Sequence, residues 1–526
     1  MQKSFESFLN EFVPKISSKE KQYLKLMWVL ETTSNKDVAD VVSSLGLEYK
    51  LMFSDKAIYE NLLKYRSSSL IKDDLLKRQL DILIKSFKEN MISKEILKKI
   101  TDKETTISQI YNSFRPSVDG ISLSENEIKN LLESSLDVKK RKKIWEVSKE
   151  IGNQLAPHIL EVVKYRNEGA RELGYDNYFQ MQLDLQNVDG NWLFDILDDV
   201  YHKSEDSYKN LISQIQDYQI KKFNVDKDEI GPWLWSEPFS QEDPIDVLEI
   251  NQLFSDIDMP AVVSSFYKKM GKDIEPILKR SDLYEKENKS QHAFCIDIDR
   301  EGDVRTLNNL RPTIRWLDTL LHEMGHAIYD LGFDNNLPWL LKTYPHIFTT
   351  EAIALIMGRQ AYNPNFIKEF IKVSSDKKDL IEKACQMQKR RQLIFSRWVL
   401  VMTYFEKSLY EDPSQNLNKL WWELVRKYQN IHLSQDRSNQ NDWASKYHIG
   451  IAPVYYFSYL LGEFFASTIT EVLKKSNIDN LWDIRAGQFL SEKIFHPGAK
   501  YTWETLVKKI DNKPLNCEAW IKEYVY

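Results

Sequence analysis

The chain has 526 residues, 42% of them hydrophobic, 12% aromatic and 29% charged, with a formal net charge of −6. That is ample apolar material for a large core, and the acidic balance argues against a nucleic-acid binder, which needs a basic stripe. Sixteen Gly and sixteen Pro are few interruptions, so the composition favours long helices over strands and predicts an all-α fold.

The first eight residues, Met1 to Phe8, carry an acidic side chain early and no apolar run, so no signal peptide is visible. Residues 1–145 read as a series of amphipathic helices. Tyr23, Met27 and Leu30 recur at helical spacing, as do Leu76, Leu80, Leu83 and Phe87. This N-terminal segment carries no chemical signature and is expected to be a lid or scaffold, leaving 146–526 as the body that performs the chemistry, the whole in one continuous fold. The run Lys139 to Lys143 follows Asp137, a helix cap, and leads into Ile144-Trp145-Glu146-Val147. It reads as a solvated helix face rather than a targeting or nucleic-acid patch.

From Gly152 the pattern is helical again and ends near Gly174. His158 and His202 have no ligand-type neighbours and read as ordinary residues. Gly231-Pro232-Trp233-Leu234-Trp235-Ser236 breaks the helical pattern at the edge of a cleft, with Trp233 in the core. The main strand signal is Gln291 to Leu307. There His292, Phe294, Ile296 and Ile298 share one face, Asp297 and Asp299 the other, and Asp299 to Asp303 makes a turn. A hairpin in a helical protein suggests an edge on which an extended peptide pairs through its backbone.

Next comes Trp316-Leu317-Asp318-Thr319-Leu320-Leu321-His322-Glu323-Met324-Gly325-His326-Ala327-Ile328-Tyr329. Residues four apart on a helix lie one turn apart on one face, so His322 and His326 can direct nitrogens at one zinc ion with Glu323 beside them. Neutral imidazoles leave the ion its charge, so it can acidify water, and Glu323 is then a general base. Leu317, Leu320, Leu321 and Ile328 make this an apolar helix, where two His and a Glu are costly to bury without a metal.

A catalytic zinc keeps three protein ligands and one open position. Metzincin spacing would place Gly at 329 and His at 332, where the chain has Tyr329 and Gly332, so that class fails. His346 and Glu351 remain. Glu351 is favoured because it opens a second helix, capped by Thr349 or Thr350, that can present a carboxylate rigidly, whereas His346 lies in a loop after Pro345. Asp376 to Tyr428 is helical with Trp421-Trp422 in the core, and Asn430 to Asn441 is loop-like. Cys295, Cys385 and Cys517 are odd in number without metal-type spacing, as expected of reduced thiols. The most apolar stretch, Leu393 to Phe405, contains Arg397 and is well short of the ~18 residues of a membrane span. A soluble, cytoplasmic protein is expected, with no membrane partner.

The ordered set His292-Ala293, His322-Glu323-Met324-Gly325-His326, Glu351 and Lys446-Tyr447-His448-Ile449 resembles the angiotensin-converting-enzyme-like peptidyl-dipeptidase family, especially its bacterial members. The resemblance is strongest from about Gly152 to Ala466; the N-terminal part is similar in helicity alone. It implies a large helical body divided by a deep cleft, with the hairpin beside one zinc held by His322, His326 and Glu351. It further implies Glu323 as general base and His292 and Ala293 as peptide contacts. By the same resemblance Lys446 pairs with the substrate's C-terminal carboxylate and His448 bonds its carbonyl. A tyrosine donates to the oxyanion: Tyr455, Tyr456 or Tyr459, with Tyr456 slightly preferred. Such a Lys at fixed distance from the metal acts as a ruler from the carboxyl end and sets dipeptide release.

The departures have consequences. No Arg stands beside the tyrosines, and Val425 occupies the place of an Arg after the Trp pair, so chloride dependence loses its basis. The family's carboxylate-binding Gln has no match near Trp233 to Ser236, and Leu355 replaces an acidic group that orients a ligating His. The implied substrates are short peptides and the chain a monomer or homodimer. An oligoendopeptidase of the thimet type, with a comparable Tyr-Tyr stretch, is the nearest alternative, and a peptide-binding metalloprotein a further one.

Overall fold

A computed structural model describes residues 1–68, 70–245, 247–290, 292–373, 377–433 and 437–526. The fold is all-α, with two small two-stranded sheets among the described residues. It divides into two compact units. The first comprises residues 1–91, 248–385 and 461–519, the second 92–247, 386–460 and 520–526. The segment 1–145 thus contributes 1–91 to the first unit and 92–145 to the second. No helix among the described residues is long and apolar enough to cross a membrane.

In the first unit, helices Gln2–Thr33, Lys36–Leu51, Lys56–Ser67 and Asp74–Glu89 follow one another. Asn35, Asp55 and Asp73 cap the last three by accepting backbone N–H groups that the first turn leaves unpaired. Their apolar faces meet in a cluster of Phe5, Phe12, Phe53, Leu80, Leu83 and Phe87. Each such side chain contributes roughly 1.5–3 kcal/mol on burial.

The long first helix also carries Leu24 and Trp28, which pack on Phe294, Ile296, Ile298 and Leu307 of the hairpin. Phe294–Asp297 pairs antiparallel with Val304–Leu307, Phe294 opposite Leu307 and Asp297 opposite Val304. The alternation read from the sequence is therefore the packing pattern. His292 precedes the strand, and Gln291 lies outside the described residues. Asp299 closes the turn by accepting the N–H groups of Glu301 and Asp303, each at 3.0 Å, while Gly302 adopts φ +117°. The far edge of Val304–Leu307 is taken: Asp282 N–H donates to Thr306 O and Asp282 O accepts from Asn308.

Helix Ile314–Asp330, capped by Thr313, packs on the hairpin and on helix Ile347–Gly358. Gly325 permits the second contact, because a Cβ there would sit 2.8 Å from Ala354 Cα. The Ile347–Gly358 helix starts earlier than expected. His346, not Thr349 or Thr350, is its cap, with Nδ1 accepting the Phe348 N–H at 3.1 Å.

The second unit is built on helices Lys94–Ser113, Val138–Lys149, Ile151–Glu172, Gly190–Lys203 and Glu205–Phe223. Gly152 brings the Asn441 carbonyl within 2.1 Å of where a Cβ would stand. Helices Leu417–Gln429 and Tyr447–Ile451 complete what concerns the site. Asp376, from which a helix was read, and Ser434 to Asp436 in the loop-like stretch lie outside the described residues.

The basic run needs correction. Asp137 caps helix Val138–Lys149 as expected, but Arg141 is buried. It donates to the carbonyls of Trp233, Leu132, Ser135 and Trp235 and lies over the Phe223 ring. Four carbonyls that end other elements find their donor in one guanidinium, which the charge run alone did not reveal.

Candidate functional site

The first unit holds a metal-type cluster. His322 and His326 rise from one face of helix Ile314–Asp330, and Glu351 from the facing turn of Ile347–Gly358. Their donor atoms all lie within 4.8 Å of one another. The two Nε2 atoms are 3.2 Å apart, and Glu351 Oε2 is 3.6 Å from His322 and 3.9 Å from His326. Two ligands held tetrahedrally at about 2.0–2.1 Å from zinc would be roughly 3.3 Å apart, so the histidine pair already has the required spacing. His346, spent as a helix cap, is not in this cluster.

The electrostatics fit the same ion. Burial lowers His322 to about 4, against the opposing pull of Asp318, and lowers His326 well below the usual range, with His322 adding to the effect. Both imidazoles are therefore neutral, the form that ligates. Burial, helped by the Glu351 carboxylate, pushes Glu323 up to about 8. Glu323 is buried at 6% exposure. A cation there would oppose both effects and favour the carboxylate.

Two supporting residues went unread in the sequence. Thr350 Oγ1 lies 2.7 Å from His326 Nδ1, which turns Nε2 toward the cluster and answers the loss of an acidic partner at Leu355. Asp318 stands one turn before His322 and accepts the Tyr362 hydroxyl at 3.2 Å. Its i−4 position was a legible signal. Gly462 allows close approach behind the ligand, since a Cβ there would be 3.0 Å from Glu351 Cβ.

His292 and Ala293 also belong to the first unit, immediately before the Phe294–Asp297 strand; His292 is exposed and Ala293 half-buried. Cys295 of that strand donates to Asp330 Oδ2 at 3.8 Å, tying the strand to the end of the motif helix.

The second unit gathers the remaining expected residues. Lys446 Nζ donates to Gln241 Oε1 at 3.3 Å, and the Tyr456 hydroxyl donates to the same oxygen at 3.3 Å. Gln241, five residues beyond Ser236 in an irregular stretch, joins the two side chains. Glu237 fixes that stretch by accepting the N–H groups of Phe239 and Gln241. Lys446 Nζ also lies 4.9 Å from the Phe239 ring centre and 5.4 Å from that of Trp398.

Trp398 Nε1 donates to the Tyr456 oxygen at 2.8 Å, which leaves that hydroxyl's proton for Gln241. The rings of His448 and Tyr456 are 5.0 Å apart, His448 and Tyr459 6.5 Å, and Tyr455 and Tyr459 5.2 Å. Tyr456 is buried, and Tyr455 and Tyr459 are half-buried.

Comparison with known proteins agrees with this chemistry. The family model described as "Peptidase family M3" matches residues 277–526, and that described as "Angiotensin-converting enzyme" matches residues 1–228. The oligoendopeptidase F homolog of Lactococcus lactis subsp. lactis (strain IL1403) is 25% identical over 231 residues, 42% of this chain and 31% of the relative. The chromosomal oligoendopeptidase F of Lactococcus lactis subsp. cremoris is 28% identical over 206 residues, 38% and 31%. Angiotensin-converting enzyme of Mesocricetus auratus is 22% identical over 448 residues, 76% and 33%. The matched part of the chain thus spans about a third of the length of each of these relatives.

The chain is thus similar to angiotensin-converting enzyme over residues 1–228 and to peptidase family M3 over residues 277–526. The likeness also reaches further toward the N-terminus than helicity alone indicated.

Proposed function

We propose that the protein is a zinc-dependent peptidyl-dipeptidase that removes C-terminal dipeptides from short unfolded peptides. The observation that carries this reading is the convergence of the Lys446 ammonium and the Tyr456 hydroxyl on Gln241 Oε1. A cation flanked by an amide and a hydroxyl is the donor set that a terminal carboxylate requires.

In this reading His322, His326 and Glu351 hold one zinc, which supplies Lewis acidity to the scissile carbonyl and to water. Glu323 accepts a proton from the attacking water on its carboxylate and passes it to the leaving amine. The substrate runs extended along Phe294–Asp297, the strand whose hairpin partner has its outer edge taken by Asp282, with His292 and Ala293 holding its backbone. His448 donates to a substrate carbonyl. Tyr456, bonded on the carboxylate side, belongs with Lys446 and Gln241, so Tyr459 becomes the donor to the oxyanion, with Tyr455 packed against it. A monomer or homodimer in a reducing cytoplasm completes the reading.

The test is the product pattern from one decapeptide offered with a free and with an amidated C-terminus. Stepwise dipeptide loss from the free peptide alone, abolished by Lys446→Ala, supports the proposal. Internal cuts in both peptides, indifferent to Lys446→Ala, replace it with a second reading that the two Lactococcus relatives favour by name: an oligoendopeptidase. Bound zinc with no cutting of either peptide would instead favour a peptide-binding metalloprotein.

A further inference from the structure

The segment carrying His448 and the three tyrosines is gripped from behind by buried polar side chains to which the proposed chemistry gives no role. Arg166, on helix Ile151–Glu172, donates to Glu104 Oε1 at 2.7 Å, to the Tyr410 hydroxyl at 3.0 Å and to the Gly450 carbonyl at 2.8 Å. Gly450 is two residues past His448. Glu406, on helix Lys378–Glu411, accepts the Val454 N–H on Oε1 at 2.7 Å, and Gln186 Nε2 donates to the Val454 carbonyl at 3.2 Å. Arg166, Glu406 and Val454 are all buried.

Val454 is the unusual member. Its φ is +56°, in the left-handed region, and it is the one β-branched residue among the described non-glycine residues with positive φ. The others are Asn, Asp, Ser, Lys or Arg. A branched Cβ crowds the backbone there, so the conformation persists where surrounding contacts over-determine it. Here both peptide groups of the strained residue are taken by side chains, the N–H by buried Glu406 and the carbonyl by half-buried Gln186. Tyr455 and Tyr456 follow directly, so the rotation at Val454 sets the direction in which the chain enters helix Phe457–Lys475 and where the three tyrosine side chains point.

We propose that Glu406, assisted by Gln186, is a positioning residue: by accepting the Val454 N–H it locks a left-handed turn that aims the Tyr455–Tyr459 segment at substrate. The kinetic part rests on the tyrosine roles proposed above; the conformational part does not. Glu406 touches no reacting atom. Its effect passes through one backbone amide, and displacements of that kind can cost roughly a hundredfold in rate.

The experiment compares Glu406→Gln, which retains an acceptor of the same reach, with Glu406→Leu, which retains volume and loses the acceptor. Zinc-loaded protein is assayed for kcat and KM on the free decapeptide, for thermal midpoint, and for hydrogen exchange of the backbone amides at 454–456. The Gln variant should match the native protein. The Leu variant should lose about tenfold to a hundredfold in kcat/KM and its amide protection at 454, and its midpoint should fall modestly because the buried Val454 N–H loses its acceptor, so the kinetics are read well below that midpoint. Val454→Gly, which adopts positive φ without strain, should blunt the loss caused by Glu406→Leu in the double variant.

Unchanged exchange at 454–456 in the Leu variant overturns the proposal whatever the kinetics, as does equal loss in the Gln and Leu variants. Tyr456→Phe and Tyr459→Phe serve as controls. If neither alters turnover, the tyrosine roles fail, while exchange at Val454 still decides the turn lock.

Discussion

Metal binding should release a proton from Glu323, and the amount follows from the burial of the site. Without an ion, burial and the neighbouring Glu351 carboxylate push Glu323 up to about 8. At pH 7 that carboxyl is about nine-tenths protonated. His322, lowered to about 4, and His326, lower than its usual range, carry no extra proton to give up at that pH. A dication in the cluster favours the Glu323 carboxylate and expels its proton, so zinc affinity should rise about tenfold per pH unit up to pH 8 and then level. Isothermal titration of zinc into chelator-stripped protein, in buffers of different ionisation enthalpy, counts the protons. The native protein should release close to one proton more per zinc than Glu323→Gln, which holds the shape without the titration. Equal proton counts, or an affinity for Glu323→Gln that keeps the native pH slope, would refute the assignment of the proton to Glu323.

Three further changes test the surroundings of the cluster. Thr350→Val removes the partner of His326 Nδ1 at nearly constant volume; zinc affinity measured by chelator competition should fall roughly tenfold to a hundredfold while the fold is retained. Gly325→Ala forces a Cβ to within 2.8 Å of Ala354 Cα and 3.2 Å of Ile353 O. It should cost about 1–3 kcal/mol in urea unfolding and weaken zinc by spreading the ligand-bearing helices. His346 is lowered to about 3 by burial and by the Lys85 charge, and its neutral Nδ1 caps a helix. A lowered folded pKa gives stability that is present above about 6.5 and lost as pH falls toward 3, at up to roughly 1.4 kcal/mol per pH unit. Unfolding of zinc-stripped His346→Asn at pH 4, 5 and 7 should show a correspondingly shallower acid dependence; an unchanged slope would rule out this contribution.

The parts of the molecule that the sequence discloses are those whose cause is local. The motif helix, the Asp137 cap and the Phe294/Ile296 face of the hairpin follow from spacings of two to four residues, and Glu351 followed from asking which helix can face the histidines. What stayed hidden has a distant cause. Arg141 looks like any surface cation until four carbonyls from other elements are brought to it. Gln241 lies in an irregular stretch with no periodicity to place it, and its pairing with Lys446 spans 205 residues. His346 reads as a candidate zinc ligand because a sequence position does not say which nitrogen a backbone N–H will claim. Val454 is the extreme case: nothing in a valine announces a positive φ, since the contacts that enforce it come from Glu406 and Gln186.

The cost of burying ionisable groups is met in two ways around these residues. In the metal-type cluster burial keeps His322 and His326 neutral and Glu323 protonated, so these side chains enter the interior without the cost of charge. Charge returns to Glu323 when a cation can share the site. In the second unit burial likewise pushes Glu406 up to about 8, but three guanidinium groups sit against carboxylates: Arg166 with Glu104, Arg390 with Asp243, and Arg437 with Asp442. The difference matches the tasks. A nitrogen must be unprotonated to bind an ion, and neutral histidines let that site form before the ion arrives. A group that must hold backbone carbonyls across a fold, as Arg166 does at Gly450, gains grip by remaining charged, and its carboxylate partner makes the burial tolerable.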